Sequence, residues 1–279
     1  MQIIKTVEEM QRVARGLGRK GTLGLVPTMG ALHEGHLSLV RRARSECDAV
    51  VATIFVNPLQ FGANEDLDKY PRTFEADCEQ LDGERVDILF APAPEEMYRP
   101  GATTTVDVGA VGARLDGASR PGHFMGVATV VAKLFHIAMP DRAYFGQKDA
   151  AQLAVIRQMA RDLNFCLEVV GCPIVRDEDG LALSSRNRYL TAEERNRALI
   201  LPRTLAAIEE QIRAGVRDSE LLTNSQVPEL EATSDIAFDY LAIVDPDTLL
   251  PEAEAVPGTL IAIAAKVGNT RLIDNLIVG

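Results

Sequence analysis

A chain of 279 residues, 47% hydrophobic and 25% charged, has room for two domains of ~150 residues and is too apolar to be mainly disordered. Its formal net charge of −11 argues against general nucleic-acid binding, which needs a basic footprint, yet leaves room for a few cations in one cleft. Residues 49–56, one of the longest mostly apolar runs, fall far short of the ~20 residues that span a bilayer, and the first residues carry no basic segment followed by an apolar one. A cytoplasmic protein with neither membrane nor nucleic-acid partners is therefore expected.

In chain order, residues 6–15 place Val7, Met10, Val13 and Ala14 at helical spacing and predict a first helix. Residues 22–26 form a short apolar run stopped by Pro27, as in a buried strand. A second helix is expected from near His36, with Leu37, Val40 and Ala43 on one face. Residues 49–56 read as a second buried strand ended by Asn57-Pro58, 73–84 as a helix and 86–90 as a third strand. Residues 124–137 are an apolar helix, 143–145 a strand, 150–162 a helix and 167–175 another strand. Strands alternating with helices imply parallel βαβ units, whose ligands bind at the carboxyl ends of the strands.

The pattern changes after Val175. Residues 176–188 are a polar loop, and Thr191-Ala192-Glu193-Glu194 has capping-box spacing before a long helical stretch, which Pro202 bends or resets unless it lies in a first turn. Residues 238–244, 260–265 and 272–278 read as strands. The expected fold class is α/β: a Rossmann-like parallel sheet over residues 1–174, then a smaller α+β domain over 175–279. The four cysteines, Cys47, Cys78, Cys166 and Cys172, form no C-x-x-C pair and read as reduced, mostly packed side chains.

Three clusters carry chemistry. In residues 27–36, His33 and His36 stand at H-x-G-H spacing between a strand and a helix, where backbone N–H groups and the helix dipole favour phosphate. Imidazole N–H groups there would donate to phosphate oxygens as charge develops, and Gly35 permits close approach of a base or ribose. The zinc-protease pattern H-E-x-x-H is one residue longer and no cysteine is near, so no metal is assigned to protein ligands. At the next strand-to-helix switch, Lys148 supplies a compact cation and Asp149 a helix cap or a ribose partner. The third cluster is Gly180-Leu181-Ala182-Leu183-Ser184-Ser185-Arg186-Asn187, whose hydroxyls and guanidinium suit triphosphate oxygens. Together the three suggest a nucleotide site closed by a mobile loop.

H-x-G-H followed by a Ser/Lys-type loop resembles the nucleotidyltransferase superfamily. The longer strings, residues 27–36, 54–61, 70–73, 120–124, 146–149 and 180–188, resemble the pantothenate synthetase (pantoate–β-alanine ligase) family, in order and through Arg271-Leu272-Ile273-Asp274-Asn275; the likeness is vaguest between about 215 and 257. Gln147 stands where some members have Glu, and Leu183 where some have Met. The resemblance implies ATP-dependent condensation of pantoate with β-alanine through a pantoyl adenylate, releasing pyrophosphate and AMP. By resemblance His33, His36, Lys148, Ser184, Ser185 and Arg186 are catalytic, His36 matching the family's proton donor. ATP contacts are implied for Met29, Gly30, Ala31, Leu32, His33, Glu34, Gly35, His36, Gly146, Gln147, Lys148, Asp149, Val175, Leu183, Ser184, Ser185 and Arg186. Gln60 and Gln152 are implied to hold pantoate, and Gln60 to meet β-alanine. Mg²⁺ is expected to ride on ATP and water, and the family points to a homodimer.

Other residues keep plainer readings. Asn57 ends a strand beside Gln60, Asp77 is a carboxylate on a helix surface or just behind the site, and Arg120 and His123 order a lid or interface or simply pack a loop. His136 reads as a packed or capping histidine, and Phe124, Met125, Val127, Val130, Val131 and Leu134 as core or dimer contact. Two other classes stay open: a nucleotide-transferring enzyme of the same superfamily, which leaves the nucleotide on its product, and a nucleotide sensor without turnover. The intact His, Lys and Ser-Ser-Arg sets weigh against the sensor.

Overall fold

The computed structural model describes residues 1–62, 67 and 70–279. They divide into two compact units, Met1–Gly146 with Val155–Pro173, and Gln147–Ala154 with Ile174–Gly279.

The first unit is built on six parallel strands: β1 (Gln2–Ile4), β2 (Leu23–Thr28), β3 (Ala49–Ile54), β4 (Ile88–Phe90), β5 (Arg142–Gly146) and β6 (Glu168–Cys172), in the order β1-β4-β3-β2-β5-β6. Helices α1 (Val7–Leu17), α2 (Glu34–Glu46) and α3 (Phe74–Gly83) connect the early strands. Two short helices, α4 (Pro94–Met97) and α5 (Asp116–Ser119), precede α6 (His123–Ala138) and α7 (Ala150–Asp162), and the boundary between the units falls within α7. The expected α/β class is what forms. β2 and β3 are near-continuous apolar runs because both faces of a parallel sheet are covered. Val26, Val50, Ala52, Leu89 and Tyr144 pack with Leu39, Val40 and Ala43 of α2. The next residue along β5, Phe145, faces the other way and meets Phe135 of α6 edge-on at 6.4 Å. β1 escaped the sequence reading because it is three residues long with only Ile4 buried.

The chain steps from β2 through β3 to β4 on one side of the sheet, then returns to place β5 on the other side of β2. The strand order reverses between β2 and β5, and open parallel sheets take ligands outside the strand carboxyl ends at such a switch point.

The second unit holds the antiparallel sheet β7 (Ile236–Val244), β8 (Leu260–Val267) and β9 (Thr270–Ile277) with helices α8 (Ala192–Ala198), α9 (Ile200–Arg213), α10 (Ser219–Asn224) and α11 (Val227–Ala232). Leu201, Leu205, Ile208 and Ile212 recur at helical spacing and pack with Ile261, Ile263 and Ala265. The capping box at Thr191 forms: the Glu194 N–H donates to Thr191 Oγ1 at 3.2 Å and the Thr191 N–H to Glu194 Oε2 at 2.8 Å. Pro202 lies in the first turn of α9, so the chain resets at Leu199 instead of continuing α8.

Residues 147–154, which the sequence reading placed before the boundary, group with this second unit. Asn275 of β9 explains it, because its Nδ2 donates to the carbonyls of Gln147 and Lys148, each at 2.9 Å. All four cysteines are free; Cys47 and Cys172 are buried and Cys166 is exposed. Among the described residues no helix is long and apolar enough to cross a membrane.

Candidate active site

The turn after β2 is held from several sides. Gly30 adopts φ +82° and Ala31 φ +50°, so two successive residues run left-handed, a course the glycine takes without strain. Thr28 Oγ1 accepts from the Gly30 N–H at 3.1 Å and donates to the Thr53 carbonyl at 2.6 Å. Asp77, 1% exposed, accepts from the Ala31 and Leu32 N–H groups, each at 2.9 Å, while the Thr73 hydroxyl donates to the same carboxyl. The surface placement considered for Asp77 is therefore corrected: α3 turns the side chain inward, and the left-handed turn supplies the donors that a buried carboxyl requires.

α2 begins at Glu34, two residues before the expected start near His36, because the two histidines cap it. His33 Nδ1 accepts from the Gly35 N–H at 3.1 Å, and His36 Nδ1 accepts from the His33 N–H at 3.4 Å. The rings lie 4.1 Å apart, tilted by 41°. A neutral imidazole that accepts at Nδ1 carries its proton on Nε2. The capping turn thus assigns both rings the Nε2–H tautomer at a helix N-terminus, an arrangement of donors suited to an anion. Glu34 turns along the helix surface into an ion pair with Arg41, whose hydrogen bonds hold its carboxyl below the usual range.

The turn after β3, Pro58–Gln60, carries Gln60. Its carbonyl accepts from His123 Nδ1 at 2.7 Å and from Arg120 Nη2 at 3.4 Å, and Arg120 Nη1 lies 2.9 Å from His123 Nε2. This gives Arg120 and His123 a definite job, fixing the Gln60 backbone. Buried Asn57 donates from Nδ2 to Gln60 Oε1 and to the Gly126 carbonyl, each at 3.1 Å. Tyr98 donates its hydroxyl to Asn57 Oδ1 at 2.7 Å, and Gln60 Nε2 lies 2.9 Å from Met29 Sδ. Neither Tyr98 nor Gly126 was singled out in the sequence; nothing in local spacing ties them to residue 57. His136 is also corrected: it is exposed near the end of α6, its ring 5.0 Å from that of Phe165.

In the second unit, Gln147–Asp149 form one helical turn ahead of α7. Lys148 is about one-fifth exposed, its Nζ 3.8 Å from Asp149 Oδ1, and Gln152 follows half-buried in the first turn of α7. Two segments then fold back on each other: the Leu183 N–H donates to the Val175 carbonyl at 2.9 Å, and Gly180 turns the chain at φ +91°. Arg176 grips the buried Asp274 carboxyl through both guanidinium nitrogens, at 2.6 and 2.9 Å, and reaches the Gly180 carbonyl at 3.1 Å. Ser184 caps the turn Ser185–Tyr189 by accepting from the Arg186 N–H at 3.2 Å. Through Asp274 and Asn275, β9 thus anchors both the Lys148 turn and the loop leading to Ser184.

The expected residues therefore fall into two sets. Met29 to His36, Gln60 and Gly146 belong to the first unit, and Gln147, Lys148, Asp149, Gln152, Val175 and Leu183 to Arg186 to the second. Among the described residues no group of three or more His, Cys, Asp or Glu side chains is assembled to hold a metal ion.

Comparison with known proteins is consistent across the whole chain. The family model described as pantoate–β-alanine ligase matches residues 2–277. A pantothenate synthetase of Acidobacterium capsulatum is 62% identical over 259 residues, covering 92% of this chain and 86% of the relative; one of Thermotoga petrophila is 52% identical over 280 aligned positions, covering all of both. The crystal structure of pantothenate synthetase from Thermus thermophilus matches with a TM-score of 0.94 at 51% identity, over 100% of this chain and 99% of that one. The Francisella tularensis pantoate–β-alanine ligase, described as complexed with β-γ ATP and β-alanine, matches with a TM-score of 0.82 at 33% identity, over 99% and 97%. This chain belongs to the pantoate–β-alanine ligase family.

Proposed function

We propose that this chain condenses pantoate with β-alanine, using ATP, through a pantoyl adenylate. A pantoate carboxylate oxygen attacks the α-phosphorus, and the bond to pyrophosphate breaks. The β-alanine amine then attacks the acyl carbon, and the bond to AMP breaks. The first step brings anion to anion, so the work of the chain is positioning and charge screening.

From the first unit, the Nε2–H donors of His33 and His36 hold phosphate oxygens, His36 acting as proton donor; Met29, Gly30 and Gly146 line the adenosine, and Ala31, Leu32, Glu34 and Gly35 shape the loop beside ATP, the N–H groups of Ala31, Leu32 and Gly35 being taken by Asp77 and His33. From the second, Lys148, Ser184, Ser185 and Arg186 serve the triphosphate, while Gln147, Asp149, Val175 and Leu183 serve the nucleoside end. Gln60 and Gln152 hold pantoate, and Gln60 also meets β-alanine. Mg²⁺ would be held by ATP oxygens and water and not by a protein cage, and would supply neutralisation of phosphate charge. The chain acts as a cytoplasmic homodimer.

The observation that carries this reading is the double histidine cap, which fixes both rings as Nε2–H donors at the N-terminus of α2. The ligands named for the Francisella relative support it. The test is product analysis with ATP, pantoate and β-alanine. Equal amounts of pantothenate, AMP and pyrophosphate are expected; a product that retains the nucleotide would instead indicate a nucleotide-transferring enzyme.

A further inference from the structure

We propose that Asn57, buttressed by the Tyr98 hydroxyl, fixes the polarity of the Gln60 carboxamide, so that Gln60 turns its N–H donors, rather than Oε1, toward bound pantoate. Tyr98 is then a positioning residue for substrate selection. The proposal rests on the reading of Gln60 as a pantoate residue.

Carboxamides have two ends of similar shape, so their orientation must come from partners of unambiguous sign. Asn57 has them. The Leu59 backbone N–H, which can only donate, lies 3.3 Å from Asn57 Oδ1, and the Gly126 carbonyl, which can only accept, lies 3.1 Å from Nδ2. The Tyr98 hydroxyl adds a second donor to Oδ1, and burial pushes its pKa up, keeping the phenol protonated. With Oδ1 taken, Nδ2 is the end that faces Gln60, and the Gln60 atom it meets at 3.1 Å is an acceptor, Oε1. Reversing Gln60 would set two NH₂ groups against each other. His123 and Arg120 hold the Gln60 carbonyl, so the side chain cannot escape by moving the backbone. The donor end, Nε2, lies against Met29 Sδ, a weak acceptor that a carboxylate or hydroxyl oxygen replaces at a gain. Gln60 therefore selects for an oxygen that accepts and against a group that donates.

Three variants test this in the complete reaction, with melting temperature and ATP affinity measured alongside. Gln60→Ala is the reference, and it should raise the KM for pantoate. Tyr98→Phe should raise that KM about tenfold, the loss of one hydrogen bond of order 1.4 kcal/mol, with kcat, ATP affinity and melting temperature near wild type. Asn57→Asp removes the donor, so Gln60 should turn its NH₂ inward and present Oε1. Competition between pantoate and its neutral amide, pantoamide, should then lose the wild-type preference for the acid, a change that simple loosening would not produce. An unchanged pantoate KM in Gln60→Ala would remove the reading of Gln60 and the proposal with it. A raised KM in Gln60→Ala but not in Tyr98→Phe, or a Tyr98→Phe variant that weakens ATP and pantoate equally with a lowered melting temperature, would overturn the positioning role alone.

Discussion

Asp77 Oδ1 accepts the backbone N–H of Leu32 at 2.9 Å across 45 residues of sequence, and its other oxygen takes Ala31 at the same distance. One buried carboxyl from α3 thereby braces the left-handed turn that leads into the histidine cap. The bracing matters because Ala31 holds φ +50° without being glycine, a conformation that persists only where neighbours enforce it.

Removal of that brace should loosen the nucleotide loop. Asp77→Ala leaves two buried N–H groups unpaired, at ~1–3 kcal/mol each, so melting temperature should fall and ATP should bind at least about tenfold more weakly. Asp77→Asn, which keeps one acceptor, should lie between. Calorimetry with ATP reads the effect; unchanged affinity in the alanine variant would show that the turn holds its shape without Asp77.

Much of this architecture is legible in the sequence, and the misses share a cause. Apolar runs at 22–26 and 49–56 mark the central strands because burial on both faces leaves no polar alternation, and the strings around His33, Lys148 and Ser184 place the chemistry. What escapes are relationships between distant residues. Nothing near position 77 tells that its side chain meets residues 31 and 32, and nothing near Asn275 tells that it gathers 147–154 into the second unit. The early start of α2 was hidden because histidine is an uncommon cap, supplying through Nδ1 the acceptor that Ser or Asp usually provides.

Gly126 shows how closely α6 approaches the Gln60 turn. A Cβ at this position would lie 2.2 Å from the Leu59 carbonyl oxygen and 2.7 Å from the Gln60 nitrogen, both backbone atoms. Gly126→Ala should therefore force helix and turn apart, costing roughly 1–3 kcal/mol or more of stability, and should raise the KM for pantoate. Thermal melting and steady-state kinetics check this; a variant that melts and turns over as wild type would mean that the approach is readily relaxed.

The acid side of the stability profile has a marker in Asp179. Hydrogen bonds from Arg195, chiefly, and from the Leu181 N–H hold its carboxyl below the ordinary value, against a smaller opposing effect of burial. A lowered folded-state value stabilises the fold above the unfolded value and is lost as pH falls through it. The melting-temperature gap between wild type and Asp179→Asn should thus be present near neutral pH and close as pH falls below the ordinary carboxylate range. A gap that widens toward acid would contradict the assignment.

The central claim is that an adenylate forms before the amine acts, and exchange of labelled pyrophosphate into ATP tests it most directly. With pantoate present and β-alanine absent, label should enter ATP, because attack of the carboxylate on the α-phosphorus is reversible while the adenylate waits on the enzyme. Exchange that appears only when β-alanine is added would contradict the stepwise account.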